Sequence, residues 1–344
     1  MTEGVSVALL GATTQAGESV RELLEEREFP LAALYFVEHE ERAGGKLSFG
    51  GKNLAVQDAE KFDFSTVQIA IVVGDRTLAE QYAEVAATEE VVVVDCTGHS
   101  CGALDVPLVI PELNPEALAN YRRRNIVAAP NSVSVAMLLA LKPIHDSVGI
   151  KCVTVTACQA VSELGQPGME ELATQATSMF NLKPIESNVF AKQIAFNILP
   201  AVEVVDENGY AESERALVQA AQQILGDETI DVSPTLIWGP VFFGHSMSID
   251  LELSGQLDAN AAQKLLDVAP GVSVMNGAEP AQMPTAVTEA AGSDLVYVGR
   301  IRQPISGGER LSLWLVTDNV RRGVALNGVQ IAEILVKEHL ESGN

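Results

Sequence analysis

Val5-Ser6-Val7-Ala8-Leu9-Leu10-Gly11-Ala12-Thr13-Thr14-Gln15-Ala16-Gly17 is the stretch whose reading decides the fold. A short apolar run passes through a glycine-bearing turn into Gln15–Glu26, where apolar residues recur at the helical period. Glycines at such a junction allow a tight turn and let backbone N–H groups approach a pyrophosphate at a helix N-terminus. Gly11 and Gly17 occupy two positions of that fingerprint, but the middle position is Thr14. A side chain there crowds phosphate, so the segment points to a strand-to-helix turn more firmly than to a working cofactor site. A turn that binds no ligand stands as an equal reading.

Working outward, Leu31–Val37, Val67–Val73 and Val91–Asp95 are further short apolar runs, with a second helical period over Leu78–Ala87. Strands alternating with helices predict a doubly wound parallel sheet of the Rossmann type. After Asn131-Ser132 a helix is expected over Val135–His145. It leads into Lys151–Ala157, where threonine and valine alternate as in a strand with one solvated or ligand-facing side. Strands are expected at Thr229–Leu236, Ser246–Leu253, Leu295–Ile301 and Leu311–Val316, followed by a helix over Arg321–His339. The fold class is therefore α/β: a Rossmann-type nucleotide-binding domain plus an α+β domain with a mixed, largely antiparallel sheet. The expected boundaries are 1–131 with 319–344 for the first domain and 132–318 for the second.

The 344 residues carry 22 Lys and Arg against 46 Asp and Glu, a formal charge of −24. That field repels nucleic acid and anionic membranes, and neither is expected as a partner. No apolar stretch reaches the roughly 20 residues that span a bilayer. Met1-Thr2-Glu3-Gly4 lacks the positive start of a signal peptide, so a cytoplasmic location is expected. Cys96, Cys101, Cys152 and Cys158 lack metal or dithiol spacing, which predicts structural thiols and no metal site. Arg122-Arg123-Arg124 follows a helical segment, where cations complement the helix dipole. His39, His99, His145 and His339 fall at loop or polar positions and are expected to be solvated.

Five separated segments carry a resemblance. They are Asp105–Pro115, Cys158-Gln159-Ala160-Val161-Ser162, Ile194-Ala195-Phe196-Asn197, Pro240–Ser246, and Asp318-Asn319 with Asn327–Glu333. In order and at matching spacing, with Ile126–Ser134, they resemble the aspartate-semialdehyde dehydrogenases over essentially the whole chain. The resemblance implies that family's NADP-dependent interconversion of aspartyl phosphate and aspartate semialdehyde, and its dimeric habit. It places Ser132 where the family has its cysteine nucleophile, Gln159 where a residue orients the intermediate, and His245 at the acid/base position. A hydroxyl is a far poorer nucleophile than a thiolate without a well-aligned base.

Other positions depart in the same direction. The substrate-carboxylate arginine corresponds to Trp238 and the phosphate-binding arginine to Cys101. The glutamate and lysine of a further motif become Ser213 and Ala216, with Glu212, Glu214 or Arg215 as substitutes if the match slips. The loop that holds the 2′-phosphate of NADP corresponds to Glu40–Lys46: Arg42 and Lys46 remain, but Glu40 replaces a serine. A carboxylate there repels a 2′-phosphate and suits the ribose of NAD. The resemblance assigns Gly11, Thr14, Gly17, Arg42 and Gln330 to the cofactor, with NADP or NAD expected to bind weakly.

The pattern resembles Usg-type paralogues of this dehydrogenase, which carry a serine at this point. The expected function is a catalytically defective homologue acting as a dimeric binding or regulatory protein, with a tetramer left open and its small-molecule ligand unknown. The alternative is an active NAD(P)-dependent aldehyde dehydrogenase of altered substrate and cofactor, using Ser132 or Cys158. A hydrolase built on Ser132 and His245 is the third reading, weakened because no acid that would orient the histidine is identifiable.

Overall fold

The computed structural model describes residues 4–340. The chain divides into two compact units, Met1–Asn131 with Val324–Asn344, and Ser132–Gly323.

In the first unit β1 (Val5–Leu10), α1 (Gln15–Glu26) and β2 (Leu31–Glu38) form the opening βαβ. A hairpin follows, β3 (Lys46–Phe49) and β4 (Lys52–Asp58), then β5 (Ile69–Val72), α2 (Arg76–Thr88), β6 (Val92–Asp95) and β7 (Ile126–Ala128). The sheet order is β3-β4-β2-β1-β5-β6-β7, parallel except for the β3–β4 pair. Ile69–Val72 is buried throughout, as expected of a central parallel strand covered on both faces.

The second unit opens with α3 (Ser132–Val148) and β8 (Ile150–Gln159). α4 (Gly165–Phe180), α5 (Glu212–Leu225), β9 (Asp231–Trp238), β10 (His245–Leu253), α6 (Ala259–Leu266), β11 (Val272–Val274), β12 (Val296–Arg302) and β13 (Arg310–Thr317) complete it. Its sheet runs β11-β12-β13-β10-β8-β9, with antiparallel pairs at the centre and parallel pairs β8–β9 and β11–β12 at the two edges. Along β8, Thr154 and Thr156 are exposed while Val153, Val155 and Ala157 are buried. The α3 helix is buried on every side from Val133 to Leu141, the signature of a helix at the heart of a domain. A helical run over residues 321–340, with α7 (Asn327–Ile334) at its centre, follows β13.

One expectation is corrected. The helix after Asn131 begins at Ser132 itself, because Ser132 and Ser134 are buried with the apolar face and extend the helical stripe toward the N-terminus. His39, His99, His145 and His339 are each half-buried. His145 Nδ1 accepts from the N–H of Ile150 at 3.2 Å, and the His339 ring meets Tyr121 edge-on with centroids 5.5 Å apart. The arginine cluster is used locally: Arg122 donates to the Tyr121 hydroxyl at 3.1 Å, and Arg124 pairs with Glu84.

Candidate functional site

Ser132, the first residue of α3, is fully buried, and its neighbourhood is close enough that a Cβ on Gly323 would lie 2.6 Å from the Ser132 Cβ. Its hydroxyl lies 3.1 Å from His245 Nε2 at the start of β10. Glu163, in the 3-10 turn between β8 and α4, also reaches it, with carboxylate oxygens 3.1 and 3.2 Å from the hydroxyl. Glu163 Oε2 is 3.3 Å from His245 Nε2 and accepts from Asn319 Nδ2 at 3.1 Å. Asn319 is itself fixed, its Oδ1 accepting from the N–H of Gly244 at 3.0 Å and from the Ser162 hydroxyl at 3.2 Å.

The histidine's tautomer follows from its other nitrogen. His245 Nδ1 lies 3.1 Å from the backbone N–H of Ala160 and must accept that hydrogen. The neutral ring therefore carries its proton on Nε2, the nitrogen facing Ser132 and Glu163. In that form His245 can donate a proton but cannot take one from Ser132. The acceptor for the Ser132 hydroxyl is the Glu163 carboxylate.

Burial pushes the Glu163 carboxyl up, but hydrogen bonds from His245, Asn319 and Ser132 outweigh it and hold the group below the usual carboxylate range. The N-terminus of α3 also favours negative charge. The acid expected to be missing is thus present, but on the wrong nitrogen for a hydrolytic triad. There an acid orients the histidine through the nitrogen remote from the serine. Here that remote nitrogen is occupied by a peptide N–H.

Gln159 closes β8 and is buried, and its carbonyl accepts from the N–H of Gly239 at 2.9 Å. The polar contacts around Ser132 come instead from Glu163 and His245. Trp238 lies in an apolar cluster with Val161, Leu172, Phe190, Ile194, Ala195 and Leu199. Its ring meets Phe190 edge-on at 5.4 Å and its Nε1–H donates to the Val202 carbonyl at 3.3 Å. It fills space and offers no anion donor.

Glu214 is buried, with one oxygen accepting from Leu236 N–H and the other from Ala211 N–H, both at 2.8 Å. Arg215 pairs with Asp206 and lies over the Tyr210 ring. Both are committed to local structure. The Cys158 thiol is pushed up by burial, as is Cys101, to about 12, with the charge of Asp95 adding to the effect. Neither is a thiolate near neutrality.

At the nucleotide-type turn, Gly11 has φ +83, and a Cβ there would lie 2.0 Å from the Val73 carbonyl oxygen. A Cβ on Gly17 would lie 2.3 Å from the Gly11 oxygen, so both glycines are sterically required. Thr14 caps α1: its hydroxyl accepts from Gly17 N–H at 3.1 Å and donates to the Gly11 carbonyl at 2.7 Å. One N–H at this helix end is thereby already satisfied. Arg42 is exposed, and its charge acts on Asp75. Gln330 Nε2 donates to Glu112 at 3.0 Å. Glu40 is exposed and 3.9 Å from Lys61. The carboxylate that faces the turn is Glu38, two residues earlier, which accepts from the N–H and hydroxyl of Thr13 at 2.8 and 2.6 Å. Among the described residues no group of three or more His, Cys, Asp or Glu side chains is placed to hold a metal, and no helix is long and apolar enough to cross a membrane.

Residues 6–121 match the family model for the semialdehyde dehydrogenase NAD binding domain, and residues 141–322 that for the semialdehyde dehydrogenase dimerisation domain. An aspartate-semialdehyde dehydrogenase of Shewanella sp. (strain DB6705) is 44% identical over 339 residues, spanning 98% of this chain and 100% of that one. A USG-1 protein homolog of Azotobacter vinelandii is 38% identical over 338 residues, 98% and 99% of the two chains. The crystal structure of aspartate semialdehyde dehydrogenase II complexed with ASA from Vibrio cholerae superimposes with a TM-score of 0.95 at 43% identity, covering 98% of this chain and 100% of that one.

Proposed function

Because the chain belongs to the aspartate-semialdehyde dehydrogenase family, we propose that it is a member that has lost the family reaction and acts as a dimeric binding or regulatory protein. The observation that carries this reading is the Glu163 carboxylate seated on the Ser132 hydroxyl beside His245. The nucleophile position holds a hydroxyl, its histidine neighbour presents a proton rather than a lone pair, and the acceptor is an anion. An acyl-phosphate or carboxylate substrate approaching Ser132 meets negative charge where the family reaction needs cations. The packing of Trp238 in the core and the burial of the Cys101 thiol support the same conclusion at the two positions that the resemblance assigns to anion-binding arginines.

Dimer formation is supported by the dimerisation domain match. Phe180 and Phe196, 79% and 64% exposed, meet edge-on at 5.8 Å in the same unit. The competing reading, an active dehydrogenase of altered specificity, draws on the 44% identity to a named enzyme.

Purified protein incubated with L-aspartate semialdehyde, phosphate and NADP or NAD in turn separates the two. The expected result is no turnover above a Ser132→Ala control. Turnover that Ser132→Ala abolishes would overturn the proposal.

A further inference from the structure

We infer that Glu38 makes this chain's nucleotide site selective for NAD over NADP, by accepting a hydrogen bond from the adenosine ribose hydroxyl at the position where NADP carries its 2′-phosphate. The inference takes from the proposed function only that the nucleotide-type domain still admits a dinucleotide. It is independent of whether Ser132 is reactive.

Glu38 is the last residue of β2 and follows Gly17 by 21 positions. In a doubly wound sheet an acidic residue about 20 positions beyond the glycine turn meets the ribose diol of a bound dinucleotide. Its position here is fixed from two sides. Its backbone carbonyl accepts from Ala59 N–H at 2.8 Å, and its Oε1 accepts both donors of Thr13, a residue of the fingerprint turn itself. The carboxylate is thereby held against the loop that would carry the pyrophosphate.

The second oxygen points to a ligand. Glu38 is fully buried, and its Oε2 has no hydrogen-bond partner. A sealed carboxylate oxygen without a donor is costly, and native structures rarely leave one unless a ligand or water completes it. A ribose hydroxyl is a donor and fits; a 2′-phosphate is an acceptor with negative charge and does not. The surrounding charges oppose a phosphate as well. Glu40 and Glu41 follow after His39 and are exposed, and Asp75 lies 3.9 Å from His39 Nε2. Burial pushes the Asp75 carboxyl up, but hydrogen bonds from Thr77 and the charges of His39 and Arg42 bring it below the usual range, so it is ionised near neutrality. Lys61 and Arg42 already face carboxylates: Lys61 is 2.6 Å from Asp58 and 3.9 Å from Glu40, and Arg42 acts on Asp75.

Calorimetric titration of the full chain with NAD, NADP and 2′-deoxy-NAD tests the inference, each run to equilibrium because Oε2 is sealed from solvent. NAD is expected to bind at least about tenfold more tightly than NADP, and the 2′-deoxy analogue about tenfold more weakly than NAD, the scale of one charge-assisted hydrogen bond. Glu38→Gln is expected to bring NAD and NADP within about threefold of each other. Should that variant fail to fold by its circular dichroism melt, the 2′-deoxy comparison on the unaltered chain decides alone. NADP binding as tightly as NAD, equal affinity for NAD and its 2′-deoxy analogue, or no binding of any of the three would overturn the inference. None of these outcomes bears on turnover, so the assignment of Ser132 stands or falls separately.

Discussion

Replacing Ser132 by cysteine places a thiol where the resemblance puts the family's nucleophile, yet that thiol is expected to stay protonated. The Ser132 hydroxyl lies 3.1 and 3.2 Å from the two Glu163 oxygens, and a longer C–S bond leaves the sulfur at comparable range. Two unit charges about 4 Å apart at an effective dielectric constant of about 20 interact by about 4 kcal/mol, or about 3 pKa units. The N-terminus of α3 opposes this, but a helix end contributes at most about 2 kcal/mol, so the carboxylate wins. From a reference near 8.5 the introduced thiol is expected to titrate at about 10 to 11.5. Its thiolate fraction at pH 7 then falls at or below about one in a thousand. Ser132→Cys combined with Glu163→Gln removes the charge and keeps the shape, and should bring the thiol back to about 8 or lower. The assay is the ultraviolet absorbance of the thiolate against pH, each variant referenced to the unaltered chain so that the four native cysteines cancel. A thiol in Ser132→Cys that titrates at or below 8.5 with Glu163 intact would refute the reasoning. Neither variant is expected to turn over aspartate semialdehyde, because Trp238 and Cys101 still stand where the resemblance places arginines.

Glu163 also predicts an acid limb of stability. Its folded-state carboxyl lies below the ordinary value of 4.5, so its contribution is present above that value and is lost as pH falls through the folded value. Urea midpoints at neutral pH and at successively lower pH should show the gap between wild type and Glu163→Gln closing on acidification; a gap that widens would contradict the assignment. Trp238→Ala is expected to cost about 3–5 kcal/mol, the range for deleting a large buried aromatic, read from urea unfolding. A cost under about 1 kcal/mol would mean that Trp238 is not the packing residue described.

What the sequence disclosed is what lies contiguous along it. Val5–Leu10 and Gln15–Glu26 are strand and helix at those bounds because apolar period and glycine turn coincide there. The β3–β4 hairpin was missed although Gly50-Gly51 sits between alternating runs and both glycines have positive φ. Glu163 was invisible to any local reading. It acts on Ser132 across 31 residues, and His245 acts across 113, so no local spacing ties the three together. The available signal was compositional: a carboxylate between Val161-Ser162 and Gly165, directly after a segment that otherwise matched the family.

Glu163 and Glu38 answer the same question in different units of the chain. Aspartyl phosphate chemistry requires cations around its nucleophile, and NADP requires cations around its 2′-phosphate. At each place this chain holds a carboxylate fixed by donors from its own fold: Ser132, His245 and Asn319 for one, both donors of Thr13 for the other. The two differ in what is left over. Both Glu163 oxygens have partners within the chain, whereas Glu38 retains one oxygen without a donor. Loss of an arginine alone would leave a weakened anion site that a concentrated substrate could still occupy. A fixed carboxylate reverses the sign of the site and raises the concentration needed for occupancy further still. If the reversal at Ser132 is electrostatic rather than steric, neutral Glu163→Gln should admit inorganic phosphate or aspartate that the unaltered chain excludes, detectable as a rise in melting temperature. Exclusion persisting in that variant would place the block in the packing around Trp238 instead.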